Sequence, residues 1–158
     1  MTVKAPKQAD TRLAEELLGL LPRLGQVWAD AVRAANGGSV VRMKVLGMIS
    51  RNGPTRSGEL AVSCSTTPST MTEIIEGLVD DAYVRRDPDP TDRRAVLVAI
   101  TPSGQVEVDR VVAAATTRLI AILDRLSAEQ RSRLHATIAD LNAVLATPSA
   151  SKETRNVR

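Results

Sequence analysis

Ala82-Tyr83-Val84-Arg85-Arg86-Asp87-Pro88-Asp89-Pro90-Thr91-Asp92-Arg93-Arg94-Ala95-Val96-Leu97-Val98-Ala99-Ile100-Thr101 is the stretch that decides how the rest of the chain is read. Residues 82–86 and 95–100 are short strand-like runs. Between them lie two prolines and three acids, a composition that turns the chain rather than extending it. The stretch therefore predicts a β-hairpin.

Working outward, the flanks are helical. Thr67-Pro68 is a helix start, a capping hydroxyl followed by proline at the first helical position. That helix is expected to reach about Asp81, with Met71, Ile74, Ile75 and Leu78 as its buried stripe. Before it, residues 58–64 read as a short helix capped by Thr55 or Ser57, and Ser65-Thr66-Thr67 as a turn. Residues 40–51 form a helix opened by Ser39 and ended by Asn52-Gly53-Pro54, with Val41, Val45, Leu46 and Ile49 inward. A first helix covers about 10 to 35, with Leu13, Leu17, Leu20 or Leu21, Leu24, Val27 or Trp28, and Ala31 at helical spacing. Pro22 is expected to kink or divide it, and Asn36-Gly37-Gly38 to stop it.

Downstream, Thr101-Pro102 begins a helix that reaches about Leu126. Ser127-Ala128-Glu129-Gln130 opens the last helix, which carries Leu134, Ile138, Leu141 and Leu145 and stops near Thr147-Pro148. Residues 1–9 and 148–158 are unpatterned and read as disordered tails. Three short helices followed by a hairpin is the winged helix-turn-helix plan. The fold class is thus mainly α with a small β-hairpin wing.

Composition agrees with this plan. Trp28 and Tyr83 are the only aromatic residues, so the core must be aliphatic, which suits helix-on-helix packing. No apolar run is long enough for a membrane span, no apolar stretch follows the N-terminal lysines, and Cys64 is the single cysteine. A cytoplasmic setting, with no membrane partner, is expected. Charge alone does not point to nucleic acid. Lys4 and Lys7 against Asp10 leave +1 in residues 1–10. Lys152, Arg155 and Arg158 against Glu153 leave +2 in residues 148–158, so the tails hold the whole net +3.

Local arrangement does point there. The helix beginning at Pro68 is expected to turn Ser69, Thr72, Glu73, Glu76 and Gly77 outward, where it can enter a major groove about 12 Å wide. Its N-terminal end offers Thr67, Ser69, Thr70 and backbone N–H groups for phosphate or base-edge contact. Arg85 and Arg86 lie on the first strand of the hairpin, and Arg93 and Arg94 near its tip, suited to a narrow minor groove. Asp92 is placed to pair with Arg94 and fix its direction. Glu73 and Glu76 read either as a solvated face or as readers of the cytosine amino group.

Four segments carry a resemblance to one family: Arg56-Ser57-Gly58-Glu59-Leu60-Ala61; Ser69-Thr70-Met71-Thr72 through Leu78; Val84-Arg85-Arg86-Asp87; and Asp92-Arg93-Arg94-Ala95 through Thr101-Pro102-Ser103-Gly104. Together they resemble the MarR family, whose Asp-x-Arg wing motif leads into a strand ending in Leu-Thr-x-x-Gly. Ala82 stands where that family usually has Gly, and Ile100 where it has Leu. The resemblance implies one domain over 10–147, with dimerisation helices at 10–36 and 102–147 around a winged helix-turn-helix at 40–101. It also implies an obligate homodimer on a near-palindromic double-stranded DNA operator. Finally, it implies a repressor often released by a small-molecule effector seated between the dimer helices and the DNA-binding lobe.

The remaining residues read modestly. Cys64 falls at an apolar position of the third helix and reads as a small core hydrophobe. His135 is the only histidine, so neither a metal site nor a cofactor is expected. Trp28 reads as core or dimer packing that can also line a ligand pocket, with Arg42 and Met43 bordering the same space. No phosphate loop, nucleophile triad or metal cluster appears, so no enzyme is expected. The alternative function is a winged-helix module for protein–protein contact without DNA binding.

Overall fold

The computed structural model describes residues 8–36, 38–92 and 95–146. The element order is α1 (Gln8–Asn36), α2 (Val40–Asn52), β1 (Thr55–Arg56), α3 (Ser57–Ser63), α4 (Pro68–Asp80), β2 (Val84–Pro88), β3 (Val96–Ile100), α5 (Pro102–Leu123) and α6 (Ala128–Ala146). Gln8 and Ala9 belong to α1 rather than to a tail. The remainder of the expected tails lies outside the described residues.

Two compact units divide the chain, residues 1–119 and 120–158. The core of the first is aliphatic. Leu46 and Ile49 of α2, Leu60 of α3, Met71, Ile75 and Leu78 of α4, Val84 and Val98 of the sheet, and Val108 and Val111 of α5 form one buried cluster, with Val32 of α1. Trp28 is half-buried against it. The inner face of α2 differs from expectation by a small rotation: Met43 is buried and Val41 is exposed.

Local chemistry explains the helix ends. Thr67 accepts a hydrogen bond from Thr70 N at 3.2 Å and caps α4, with Pro68 at the first position. Thr101 Oγ1 accepts from Gly104 N at 3.0 Å and opens α5. In the second unit, Ser127 and Gln130 form a reciprocal capping box: Gln130 N donates to Ser127 Oγ at 3.2 Å, and Ser127 N to Gln130 Oε1 at 2.8 Å. The cap expected for α3 is absent. Arg56 holds the N-cap position without a side-chain capping bond, Ser57 is already helical, and Thr55 Oγ1 donates instead to Gly53 O.

Pro22 does not divide α1, which continues through it. Proline removes one backbone donor, and a 29-residue helix loses only one ladder bond by it. The wing also differs from a simple hairpin. Thr55 and Arg56 form a third strand, and the antiparallel order is β1-β3-β2, with Thr55 opposite Val98 and Arg56 opposite Leu97. β2 runs on to Pro88, pairing it with Val96.

Each helix of the helix-turn-helix ends in a Schellman turn around a non-glycine residue. After α3, Thr66 N donates to Ala61 O and Ser65 N to Val62 O, with Ser65 at φ 53°. After α4, Tyr83 N donates to Leu78 O and Ala82 N to Val79 O, with Ala82 at φ 57°. The turn at Ala82 thus keeps the left-handed geometry that glycine usually serves. Gly104 has a different reason to be glycine: a Cβ there would lie 2.1 Å from Tyr83 O. The start of α5 rests directly on the backbone that leaves α4, and Thr101 Oγ1 donates to Ala82 O at 2.7 Å at the same junction.

Candidate nucleic-acid interface

α4 is held from below and open above. Met71, Ile75 and Leu78 fix its inner stripe in the core, which leaves Ser69, Thr70, Thr72, Glu73 and Glu76 exposed on the other side. Thr67 is exposed too, but its hydroxyl already serves the helix: it accepts from Thr70 N and donates to Thr70 Oγ1 at 2.9 Å. Thr72 Oγ1 donates to Pro68 O at 2.9 Å. The expected contact residues therefore divide in two. Thr67 and Thr72 spend a hydroxyl proton inside the helix and keep acceptor capacity outward, whereas Ser69 and Glu73 project from the same surface.

Gly77 is not on that outer face. Arg42 of α2 lies over it, donating to Gly77 O at 2.7 Å and pairing with Asp81. A guanidinium at the last carbonyls of a helix satisfies them and complements the negative end of the helix dipole. Arg42 and Met43 line a cavity of about 160 Å3 with Ser39, Leu46, Leu78 and Tyr83. Trp28, grouped with them in the sequence, is not on its wall.

The strand arginines differ from one another. Arg85 is committed to its own sheet, with Nε donating to both Asp87 oxygens at 3.0 and 3.1 Å and Nη1 to Ile100 O at 3.3 Å. Arg86 is exposed and lines a recess of about 280 Å3 with Thr72 and Ile75 of α4, Ser57 of α3, and Val96 and Val98 of β3. Helix and wing residues that are 14 positions apart in sequence, Thr72 and Arg86, thus share one concavity. Arg93 and Arg94 lie outside the described residues, and so does the expected Asp92–Arg94 pairing. Asp92 itself is exposed, and its carbonyl accepts from Ala95 N at 2.9 Å.

One residue in this region was not expected. Asp89 lies in the proline-rich loop but is only 6% exposed. Thr91 donates to its Oδ1 from Oγ1 at 2.6 Å and from N at 2.8 Å, and Arg56 donates to Oδ2 from Nη2 at 2.6 Å and Nε at 2.8 Å. The Thr91 hydroxyl and amide, with the Arg56 guanidinium, hold the Asp89 carboxyl well below the usual carboxylate range. Asp89 in turn raises the Arg56 guanidinium above its ordinary value. The only hint in the sequence was Asp89-x-Thr91, the spacing at which an aspartate caps its own turn.

Cys64 sits at the C-terminal end of α3, half-buried, with Sγ 3.6 Å from Met48 Sδ. His135 is exposed on α6. Among the described residues no group of His, Cys, Asp and Glu is arranged to hold a metal ion, and no helix is long and apolar enough to cross a membrane.

Comparison with known proteins places this geometry. A sequence model described as the MarR family matches residues 39–96, which run from the start of α2 to the start of β3. An uncharacterised HTH-type transcriptional regulator of Mycobacterium leprae is 32% identical over 136 residues, 84% of this chain and 92% of that protein. A transcriptional regulator of Thermotoga maritima is 28% identical, superposes with a TM-score of 0.70, and covers 88% of this chain and 95% of its own. Escherichia coli MarR in its apo form is 20% identical with a TM-score of 0.68, covering 82% and 96%, a likeness of fold.

Proposed function

The chain belongs to the MarR family of DNA-binding transcriptional regulators, and from that premise we propose that it is a homodimeric repressor of a near-palindromic operator. The observation that carries this reading is α4, capped at Thr67, seated by its inner stripe and exposed along Ser69, Thr70, Thr72 and Glu73 beside Arg86. In the bound state each α4 enters a major groove, the two about 34 Å apart. Arg93 and Arg94 of each wing approach the flanking minor groove, where the potential is most negative. Arg86 joins the phosphate contacts, while Arg85 braces the sheet through Asp87.

Two apolar stripes support a partner of the same chain. On α1, Leu13, Leu17, Leu20 and Leu24 are exposed, and on α6, Leu134, Ile138, Leu141 and Leu145 are exposed at the identical spacing. Stripes of this size on a single chain mark an association surface, and α1, α5 and α6 are the helices that form the dimer. A small-molecule effector lowers operator affinity by binding differently to two states of the dimer. Arg42 and Met43, on the cavity at the C-terminal end of α4, are its contact residues, with Trp28 as packing behind α2.

Selection of bound duplexes from a random pool tests the reading, followed by titration of the winner at two salt concentrations. An enriched inverted repeat whose affinity drops steeply with salt is expected. No enrichment at low salt by folded, dimeric protein overturns it in favour of a protein–protein module.

A further inference from the structure

We propose that Asp89 and Arg56 are the positioning residues of the wing, a clasp around one buried carboxylate that sets the arginine-bearing tip relative to the helix-turn-helix. The clasp rests on the reading that Arg93 and Arg94 contact DNA. Arg56 is the last residue of β1, opposite Leu97 of β3, and also the N-cap of α3, so it joins the sheet to the first helix of the helix-turn-helix. Asp89 is the first residue after β2, so it moves with the loop that carries the tip. Its backbone N donates to Ala95 O at 3.1 Å and closes the base of that loop. Its carboxylate faces two ways: Oδ1 takes the Thr91 amide and hydroxyl and shapes the turn, while Oδ2 takes two nitrogens of Arg56 and ties the turn to the end of β1, where α3 begins.

Burial makes this arrangement demanding. Pro90, Thr91 and Asp92 around it are exposed, so Asp89 is the loop's one inward side chain among the described residues 89–92. A carboxylate removed from water needs each of its donors, and losing the charge leaves them opposed by an amide. An acid in a DNA-facing wing also opposes phosphate binding by its charge. Its value here is therefore geometric, and this gives a test in which charge and geometry predict opposite signs.

The experiment measures affinity of the full-length protein for the duplex selected above, across a salt series, for Asp89→Asn, Arg56→Lys and the double variant Arg93→Ala/Arg94→Ala. Circular dichroism and dimer mass are checked for each. Asp89→Asn removes a negative charge, which by electrostatics alone strengthens DNA binding. A clasp predicts the reverse: roughly tenfold weaker binding and a shallower salt dependence, approaching the double arginine variant. Combining Asp89→Asn with Arg93→Ala/Arg94→Ala adds little further loss, because the same contacts are already gone. Arg56→Lys keeps the charge, gives up the two-nitrogen grip, and falls between wild type and Asp89→Asn. It carries the test if Asp89→Asn does not fold.

Unchanged or tighter binding by the folded variants, with the double arginine variant weakened, overturns the clasp and leaves the wing reading standing. No loss in the double arginine variant overturns the wing reading, and the clasp with it.

Discussion

The segment from α2 to β3 and the helix α6 are built from the same aliphatic residues at the same helical spacing, yet they fare differently. Leu46, Ile49, Leu60, Met71, Ile75 and Leu78 are shut away from solvent within the chain. α6 has no buried residue, although Leu134, Ile138, Leu141 and Leu145 make as regular a stripe. An amphipathic pattern therefore reports that a face needs a partner, and it does not say whether that partner is in the same chain. From α2 to β3 the partner is a neighbouring helix or the sheet. For α6 it is proposed to be a second copy.

The largest effect is expected in α6. Ile138→Glu with Leu141→Glu places four charges in the proposed dimer interface. At about 1.5–3 kcal/mol for each buried aliphatic side chain lost, roughly 6 kcal/mol or more of association energy goes with them. Sedimentation equilibrium should show a monomer that keeps the far-ultraviolet signal of the winged helix, and a dimer of unchanged stability would refute the interface. In the self-contained segment, Leu46→Ala should instead lower unfolding stability by about 3 kcal/mol, seen as a lower urea midpoint at matched protein concentration.

Two smaller tests sharpen the picture at one junction. Gly104→Ala forces a methyl group against Tyr83 O and should cost about 2 kcal/mol by overpacking. An unaltered midpoint would mean that α5 is not seated there. Ala82→Gly releases a left-handed alanine and should raise stability by roughly 0.5–1 kcal/mol, read as a small increase in Tm. A decrease would show that the restricted backbone of alanine matters more in the unfolded chain.

What was legible in the sequence was local. Thr67-Pro68, Thr101-Pro102 and Ser127 with Gln130 announce helix starts because a cap and its donor are three residues apart. What was hidden depends on residues far apart. β1 is two residues long and exists only because Val98 and Leu97 come to meet it, more than 40 positions later. Asp89 looks like any acid in a solvated turn until Arg56 arrives. Val41 and Met43 exchange roles because the side of α2 that faces the core is set by α4 and the sheet, not by α2's own pattern. Arg85 and Arg86 look equivalent as a pair, but successive strand residues point to opposite faces, and only one of those faces offers Asp87.

The two left-handed corners at Ser65 and Ala82 have a mechanical consequence. Glycine at a corner is a swivel, free to sample mirror-image torsions. Serine and alanine are not, because their Cβ atoms leave only a narrow left-handed well. The helix between these corners is therefore mounted as a rigid lever with stiff sockets at both ends. A change in the spacing of two such levers must be delivered by moving the sockets, not by bending at them.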